Sequence, residues 1–213
     1  MTPLVLAVDT THEYGSIALG GRDEVLLHAP SGFAHVLYAH LDEILRRNGV
    51  ELADIECFAA ASGPGSFTGV RVGLACVKGL AEAMGRPAAG VSNLEALARF
   101  GTGPLRAAVL DARRGEVYGA VYDDAGRVVV PEMVATVPRW LAALPGGVEF
   151  VSPDFSAFGH GLPDAPRVTA PRAIAGAIAR IAAERLEGGE ACDPAAIDAN
   201  YVRRSDAELF WKE

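Results

Sequence analysis

"IECFAAASGPGSFTGVRVGLACVKGLAEAMG", residues 55–85, changes its hydrophobic period partway along. Ile55 to Ala61, interrupted only by Glu56, is an apolar run of strand length, as suits a strand covered on both faces of a sheet. The turn Ser62-Gly63-Pro64-Gly65-Ser66 follows. From Thr68 to Met84 the apolar residues recur at helical spacing until Gly85 and Pro87 stop them. A strand, a glycine-rich turn and a helix make an anion site in many folds, because free backbone N–H groups and the helix dipole converge on the turn. Neither nucleotide fingerprint is met, however. A Walker loop requires Gly-Lys-[Ser/Thr] where this chain has Gly69-Val70-Arg71, and a dinucleotide loop requires glycine where Thr68 stands. Gly69 and Gly73 lie four apart on one helix face, and a glycine inside a helix costs roughly 1 kcal/mol relative to alanine. Three readings offset that cost: close packing of the helix on its own sheet, approach of a helix from another chain, or a phosphate-facing loop at Gly63, Gly65 and Ser66.

On the N-terminal side, Leu4 to Val8 reads as an apolar strand ending in Asp9-Thr10-Thr11, with Gly15 to Leu19 and Glu24 to His28 as the next two strands. Phe33, Leu37, Leu41, Ile44 and Leu45 form a helical stripe stopped by Asn48-Gly49. After a strand at Ala88 to Val91, Ser92 and Glu95 predict a capping box for a helix through Phe100. Gly101-Thr102-Gly103-Pro104 reads as a linker. Leu105 to Asp111, Glu116 to Asp123 and Arg127 to Val134 then predict three strands joined by turns at Arg113-Arg114-Gly115 and Asp123 to Gly126. Pro138 to Leu144 reads as a short helix, Val148 to Ser152 as a strand and Pro171 to Leu186 as an Ala/Ile-patterned helix. Both halves run three strands, helix, strand, helix. The order predicts an α/β fold of two duplicated units, residues 1–103 and 104–213, without residue-level repetition.

Bulk properties narrow the class. A chain of 213 residues, half of them apolar, can bury a substantial core. Its apolar runs fall short of the ~20 residues of a membrane span, and no basic stretch precedes the first strand, so a soluble cytoplasmic protein is expected, with no membrane partner. The net charge is −8, and each half carries −4, with 7 basic and 11 acidic residues up to Gly103 and 12 and 16 beyond it. Strong binding of RNA by the chain alone is not expected, because that binding relies on Lys and Arg neutralising phosphates, while a supporting role in a complex stays open. Cys57, Cys76 and Cys192 have no metal spacing and read as reduced small hydrophobes.

Five segments together resemble the bacterial TsaB (YeaZ) family: Leu6 to Leu19 (LAVDTTHEYGSIAL), Gly63 to Ala81 (GPGSFTGVRVGLACVKGLA), Gly90 to Ala98 (GVSNLEALA), Asp111 to Asp123 (DARRGEVYGAVYD) and Tyr201 to Lys212 (YVRRSDAELFWK). The resemblance implies an actin-like, Hsp70-like (ASKHA) fold of two ribonuclease-H-type βββαβα halves, with interface helices in residues 1–103 and a C-terminal tail closing residues 104–213. It implies a non-catalytic subunit that pairs with the homologous catalytic protein TsaD, works with the ATPase TsaE, and also pairs with itself. That assembly transfers threonylcarbamoyl to N6 of the adenosine next to the anticodon, so tRNA is met only through the complex and ATP is used by the complex.

The catalytic relative begins its metal site with two histidines four apart, where this chain has Asn93 and Leu97; leucine cannot ligate a metal, so no metal and no catalytic residue are expected here. His35 and His40 are five apart and cannot share a metal on one helix face. His12, His28 and His160 read as surface or turn residues. The expected partner interface is Phe33, Leu37 and Leu41 with Gly69, Val72, Gly73, Cys76 and Val77. Asp9, Thr10, Gly63, Gly65 and Ser66 stand where actin-like folds hold a nucleotide. Weak ATP or ADP binding, or a stand-alone ATPase or metallopeptidase-like activity, is the competing reading, although the chain itself should require no cofactor. Arg113, in a basic hairpin turn, is a candidate surface contact, and the tail aromatics Tyr201, Phe210 and Trp211 leave two readings open, docking onto the first half or onto a partner.

Overall fold

A computed structural model describes residues 2–158, 161–190 and 193–203. His160, Cys192, Phe210 and Trp211 lie outside the described residues. The described part contains two five-stranded mixed sheets.

The first sheet is built from β1 (Val5–Asp9), β2 (Tyr14–Leu19), β3 (Asp23–His28), β4 (Cys57–Gly63) and β5 (Ala88–Ser92), in the order β3-β2-β1-β4-β5. β1 runs antiparallel to β2 and parallel to β4, so the first three strands form a meander and the last two return through helices. α1 (Leu37–Asn48) precedes β4, α2 (Phe67–Met84) precedes β5, and α3 (Asn93–Ala98) follows it. Gly49 at φ 62° and Gly85 at φ 61° close α1 and α2 in the left-handed conformation that glycine adopts without penalty. Leu6, Val8, Phe58 and Ala60 share one core cluster with Leu37, Leu41, Ile44, Val70, Leu74 and Val77 of the two helices.

The second sheet repeats this plan. β6 (Leu105–Arg113), β7 (Glu116–Asp123), β8 (Val128–Thr136), β9 (Glu149–Ser152) and β10 (Arg167–Thr169) lie in the order β10-β9-β6-β7-β8. Here too the first strand is antiparallel to the second and parallel to the fourth. α4 (Val137–Leu141) carries Trp140 into a core where it meets Phe150 edge-on at 5.7 Å. The strand β10 is too short to leave a signal in the sequence, and among the described residues between β9 and β10 there is a 3₁₀ turn, Ser156–Phe158, and no α-helix.

α5 (Ala175–Glu187) is the helix expected to complete the second half, yet it packs against β1, β2 and β4 of the first sheet. The described residues of 1–96 and 171–199 accordingly form one compact unit, and those of 97–170 with 200–203 form the other, in contrast to the expected division at 103. The local chemistry explains the placement. Ser16 Oγ on β2 accepts the backbone N–H groups of Ile174 and Ala175 at 3.1 and 2.9 Å, and Glu24 accepts that of Gly176 at 2.9 Å. These are the otherwise unpartnered donors of a helix N-terminus. Near the other end Arg185 donates to the Gly90 carbonyl at 2.7 Å and to the Glu95 carboxylate at 2.6 Å. Glu95 therefore does not complete the expected capping box; only Ser92 caps, accepting the Leu94 N–H at 3.1 Å.

The expected linker at Gly101 to Pro104 is tied down within the second unit. Glu149 accepts from the Thr102 and Gly103 amides at 2.7 and 3.0 Å and from the Thr102 hydroxyl at 3.1 Å. No helix among the described residues is long and apolar enough to cross a membrane.

Candidate functional site

The phosphate-facing residues expected from the sequence converge in the first unit, where the end of β1, the β4–α2 turn and the start of α3 meet. Asp9 is buried, and its Oδ1 accepts both the Thr11 N–H at 2.9 Å and the Thr11 hydroxyl at 2.6 Å. Asn93 Nδ2 donates to the Thr11 Oγ1 at 2.7 Å, while Asn93 Oδ1 accepts the Gly63 N–H at 3.0 Å. Because a threonine hydroxyl has one proton and two lone pairs, its contact with His12 Nδ1 at 2.9 Å requires the proton on His12 Nδ1. Asp9, Thr11, Asn93 and Gly63 form one knot with each bond accounted for.

The knot uses the donors an anion would need. Ser66 N–H donates to the Thr11 carbonyl at 2.7 Å, and Gly69 N–H turns back to the Ser66 hydroxyl at 3.3 Å, which caps α2. The amides of Gly63, Ser66 and Gly69 are thus engaged inside the chain. The Gly63–Pro64 peptide is cis, and Gly65 lies so close to Thr11 that an added Cβ would sit 2.7 Å from its Cβ. Thr10 occupies the space beside α2: its hydroxyl donates to the Gly69 carbonyl at 2.7 Å. A Cβ on Gly69 would run into the Thr10 carbonyl oxygen, and one on Gly73 would meet Thr10 Oγ1 at 2.6 Å. Of the three readings of the two glycines, close packing within the chain accounts for both.

The residues of the expected interface differ in exposure. Phe33, Leu37, Leu41, Gly73, Cys76 and Val77 are buried in the single chain, and Gly69 and Val72 are half-buried. The outward faces of α1 and α2 instead carry Tyr38, exposed by 61%, with Phe67, Ala75 and Gly79. A Cβ on Gly79 would meet nothing within 4 Å. Burial pushes the Cys76 thiol up, against the lowering effect of its hydrogen bond with the Tyr38 hydroxyl. The sequence signal that could have separated the faces was present, since Ala75, Gly79 and Ala83 form a second small-residue stripe.

Other candidates disperse. His35 is exposed, His40 pairs with Glu43 at 3.4 Å, and His28 stacks on Tyr14 with centroids 4.4 Å apart. Cys57 is buried and unpaired, its thiol pushed up to about 11 by burial. Among the described residues no three His, Cys, Asp or Glu side chains cluster as a metal site. Leu97 is buried, as is Asn93. Arg113 and Arg114 sit at the tip of the β6–β7 hairpin, both at positive φ.

Comparison with known proteins gives a consistent picture. A family model described as TsaD, tRNA N6-adenosine threonylcarbamoyltransferase, matches residues 29–186. The tRNA threonylcarbamoyladenosine biosynthesis protein TsaB of Escherichia coli K12 is 39% identical over 125 residues, covering 55% of this chain and 54% of that protein. Its counterpart in Bacillus subtilis 168 is 32% identical over 155 residues, covering 66% and 65%. The chain thus spans between about half and two thirds of the length of the curated relatives it matches. Among solved structures, YeaZ from Pseudomonas aeruginosa superposes with a TM-score of 0.82 at 27% identity over 93% of this chain and 99% of that one. A second, described as an uncharacterized protein with similarity to peptidase YeaZ from Pseudomonas aeruginosa, gives 0.81 at 28% identity over 94% and 100%.

Proposed function

The chain belongs to the TsaD-like family, in its TsaB (YeaZ) branch, and from that premise we propose that it is the non-catalytic scaffold subunit of the tRNA threonylcarbamoyladenosine machinery. In this reading it pairs with a TsaD-type catalytic subunit, a TsaE-type ATPase joins the pair, and the assembly modifies N6 of the adenosine next to the anticodon. tRNA and ATP are met by the complex, the chain itself needs no cofactor, and its place is the cytoplasm.

The observation that carries the proposal is the Asn93 knot. Where the catalytic relative has its two metal-binding histidines, this chain has an amide bonded to Thr11 and Gly63 and a buried leucine. The residues that the resemblance puts at a nucleotide position bond to one another, which supports a scaffold role. The family model spans α1 and α2, so a TsaD-type partner carries counterparts of both helices, and two like faces can meet about a pseudo-twofold axis. The outward residues Ala75 and Gly79 supply a stretch of little side-chain bulk, and Tyr38 on α1 adds an exposed aromatic to the docking face. A second copy of the chain would use the same face.

Sedimentation of the chain with the TsaD-type protein of its own organism, with and without ATP, tests the reading. A stable mixed complex and no nucleotide turnover by the isolated chain are expected, and Ala75→Arg with Gly79→Arg should abolish pairing. These are exposed positions, so the melting temperature of the isolated variant should move by only about 2–4 °C. Failure to associate, with ATP or peptide hydrolysis by the chain alone that Asp9→Ala removes, would overturn it.

A further inference from the structure

Along β7 successive side chains alternate between the two faces of the second sheet. Val117, Gly119 and Val121 turn to the core around Trp140, so Glu116, Tyr118, Ala120 and Tyr122 share the opposite face. On that face Tyr118 pairs in register with Val134 of β8, and the Tyr122 hydroxyl donates to Glu132 Oε1 at 2.9 Å. Glu116, Tyr118, Glu132 and Val134 are half-buried. Two carboxylates and an aromatic ring thus line one strip of the sheet.

The chain's own residues 200–203 lie against this strip. Ile197 is buried in the core of the first unit with Ala199 packed against that core, and from Asn200 on the described chain belongs to the second unit. Asn200 Nδ2 donates to Glu132 Oε2 at 2.5 Å. Three residues on, Arg203 pairs with Glu116 and holds its guanidinium 5.6 Å from the centre of the Tyr118 ring. The segment therefore runs against the direction of β7. No helix or strand includes these four residues, and the backbone bond within them is that of the Val202 N–H to the Asn200 carbonyl at 3.1 Å. Side-chain bonds to two half-buried carboxylates hold the segment down. A stretch held in this way, without a ladder of backbone bonds, opens at low cost while the sheet beneath it stays folded.

We propose that residues 200–203 form a strap closed over the strip from Glu116 to Glu132, and that the strip, once the strap lifts, takes an extended, arginine-bearing segment of a partner protein. The strap itself displays the chemistry that fits: a side-chain amide for one carboxylate and, three residues on, a guanidinium that pairs with the second carboxylate and lies near a tyrosine ring. A tethered segment competes at an effective concentration of the order of millimolar, so the closed strap keeps free segments of like chemistry out. The proposal concerns the second unit alone, and its failure leaves the scaffold reading untouched.

Fluorescence anisotropy of the full chain with a labelled peptide of residues 199–203, capped at both ends, tests it. N200A with R203A removes the two anchors of the strap and leaves the strip intact. This double variant should bind the peptide at least about tenfold more tightly than the parent chain, because the tethered competitor is gone. Its residues 200–203 should exchange amide hydrogens faster than in the parent while those of β7 and β8 keep their rates, which separates lifting of the strap from unfolding of the sheet. Adding E116Q and E132Q to the double variant should abolish the gain, as should replacing the arginine of the peptide by glutamine. Equal peptide binding by the parent and the double variant, a gain that survives E116Q with E132Q, or no binding by any variant would overturn the assignment.

Discussion

Asn93 does at one position what a short hydrophobic side chain of the same size could not. Its amide offers a donor and an acceptor at once, and both are used on buried partners, Thr11 Oγ1 and Gly63 N–H. Replacing it with leucine orphans the buried Gly63 N–H, at about 1–3 kcal/mol, and takes from Thr11 Oγ1 one of its three hydrogen bonds, at about 1 kcal/mol more. Asn93→Leu should therefore lower the unfolding free energy by about 2–4 kcal/mol in urea titration, and a loss under about 1 kcal/mol would mean the knot relaxes around the change. Glu149 gives a pH-dependent counterpart in the second unit. Burial pushes its carboxyl up, but the Gly103 and Thr102 amides, the Thr102 hydroxyl and the Arg106 charge outweigh that and hold it below the ordinary 4.5. A lowered folded value stabilises the protein above the ordinary value, and the stabilisation is lost as pH falls through the lowered one. Glu149→Gln should be less stable than the parent at neutral pH, and the gap should close in urea titrations below about pH 4. A gap that stays constant to pH 3 would assign the loss to packing. Neither role is visible in the sequence, because both residues act on groups some 30 to 80 positions away, at separations of 30 and 82 for Asn93 and 46 and 47 for Glu149.

At the scale of an element, α2 shows what helical spacing reveals and what it leaves open. The period placed the helix within a residue of its observed start at Phe67 and end at Met84. The same period put Gly69 and Gly73 on one face and Gly79 on another, without saying which face meets the sheet. The answer depends on Thr10, which comes from a different strand and fills the space beside the first two glycines. Three alanine substitutions separate the faces. Gly79→Ala adds a methyl in open space and should stabilise the protein by about 0.5–1 kcal/mol through helix propensity. Gly73→Ala forces the Thr10 hydroxyl aside and should cost about 1–2 kcal/mol once its bond to the Gly69 carbonyl is lost. Gly69→Ala strikes a backbone carbonyl that cannot rotate away and should cost more than about 2 kcal/mol. Thermal unfolding of the three variants should give that order, and equal effects would mean the helix shifts as a whole. A bulky Gly73→Leu change should unfold the single chain and so cannot report on pairing alone.

For the whole molecule, the succession of strands and helices up to β9 follows from patterns legible in the sequence: apolar runs of strand length, short turns, and a helix before β4, β5 and β9; β10 left no such signal. The division of the chain was less legible, because it depends on where α5 finds an apolar surface and a cap. Its alanine-rich pattern fits either sheet. The choice is made by Ser16 and Glu24, which meet its N-terminal amides, and by Glu95 and the Gly90 carbonyl, which meet Arg185. None of these partners lies near α5 in sequence. It follows that residues 1–103 are not an independent unit: without α5, the faces of β1, β2 and β4 that it covers stand open to water. Expressed alone, residues 1–103 should be insoluble or bind a hydrophobic dye without a cooperative melt. Residues 1–96 joined to 171–199 by a flexible linker of about 20 Gly and Ser residues, with a mean reach near 25 Å, should instead melt cooperatively. A cooperative transition in the shorter fragment would show that the first sheet is stable with one face bare, and that α5 is an accessory to the first unit rather than part of its core.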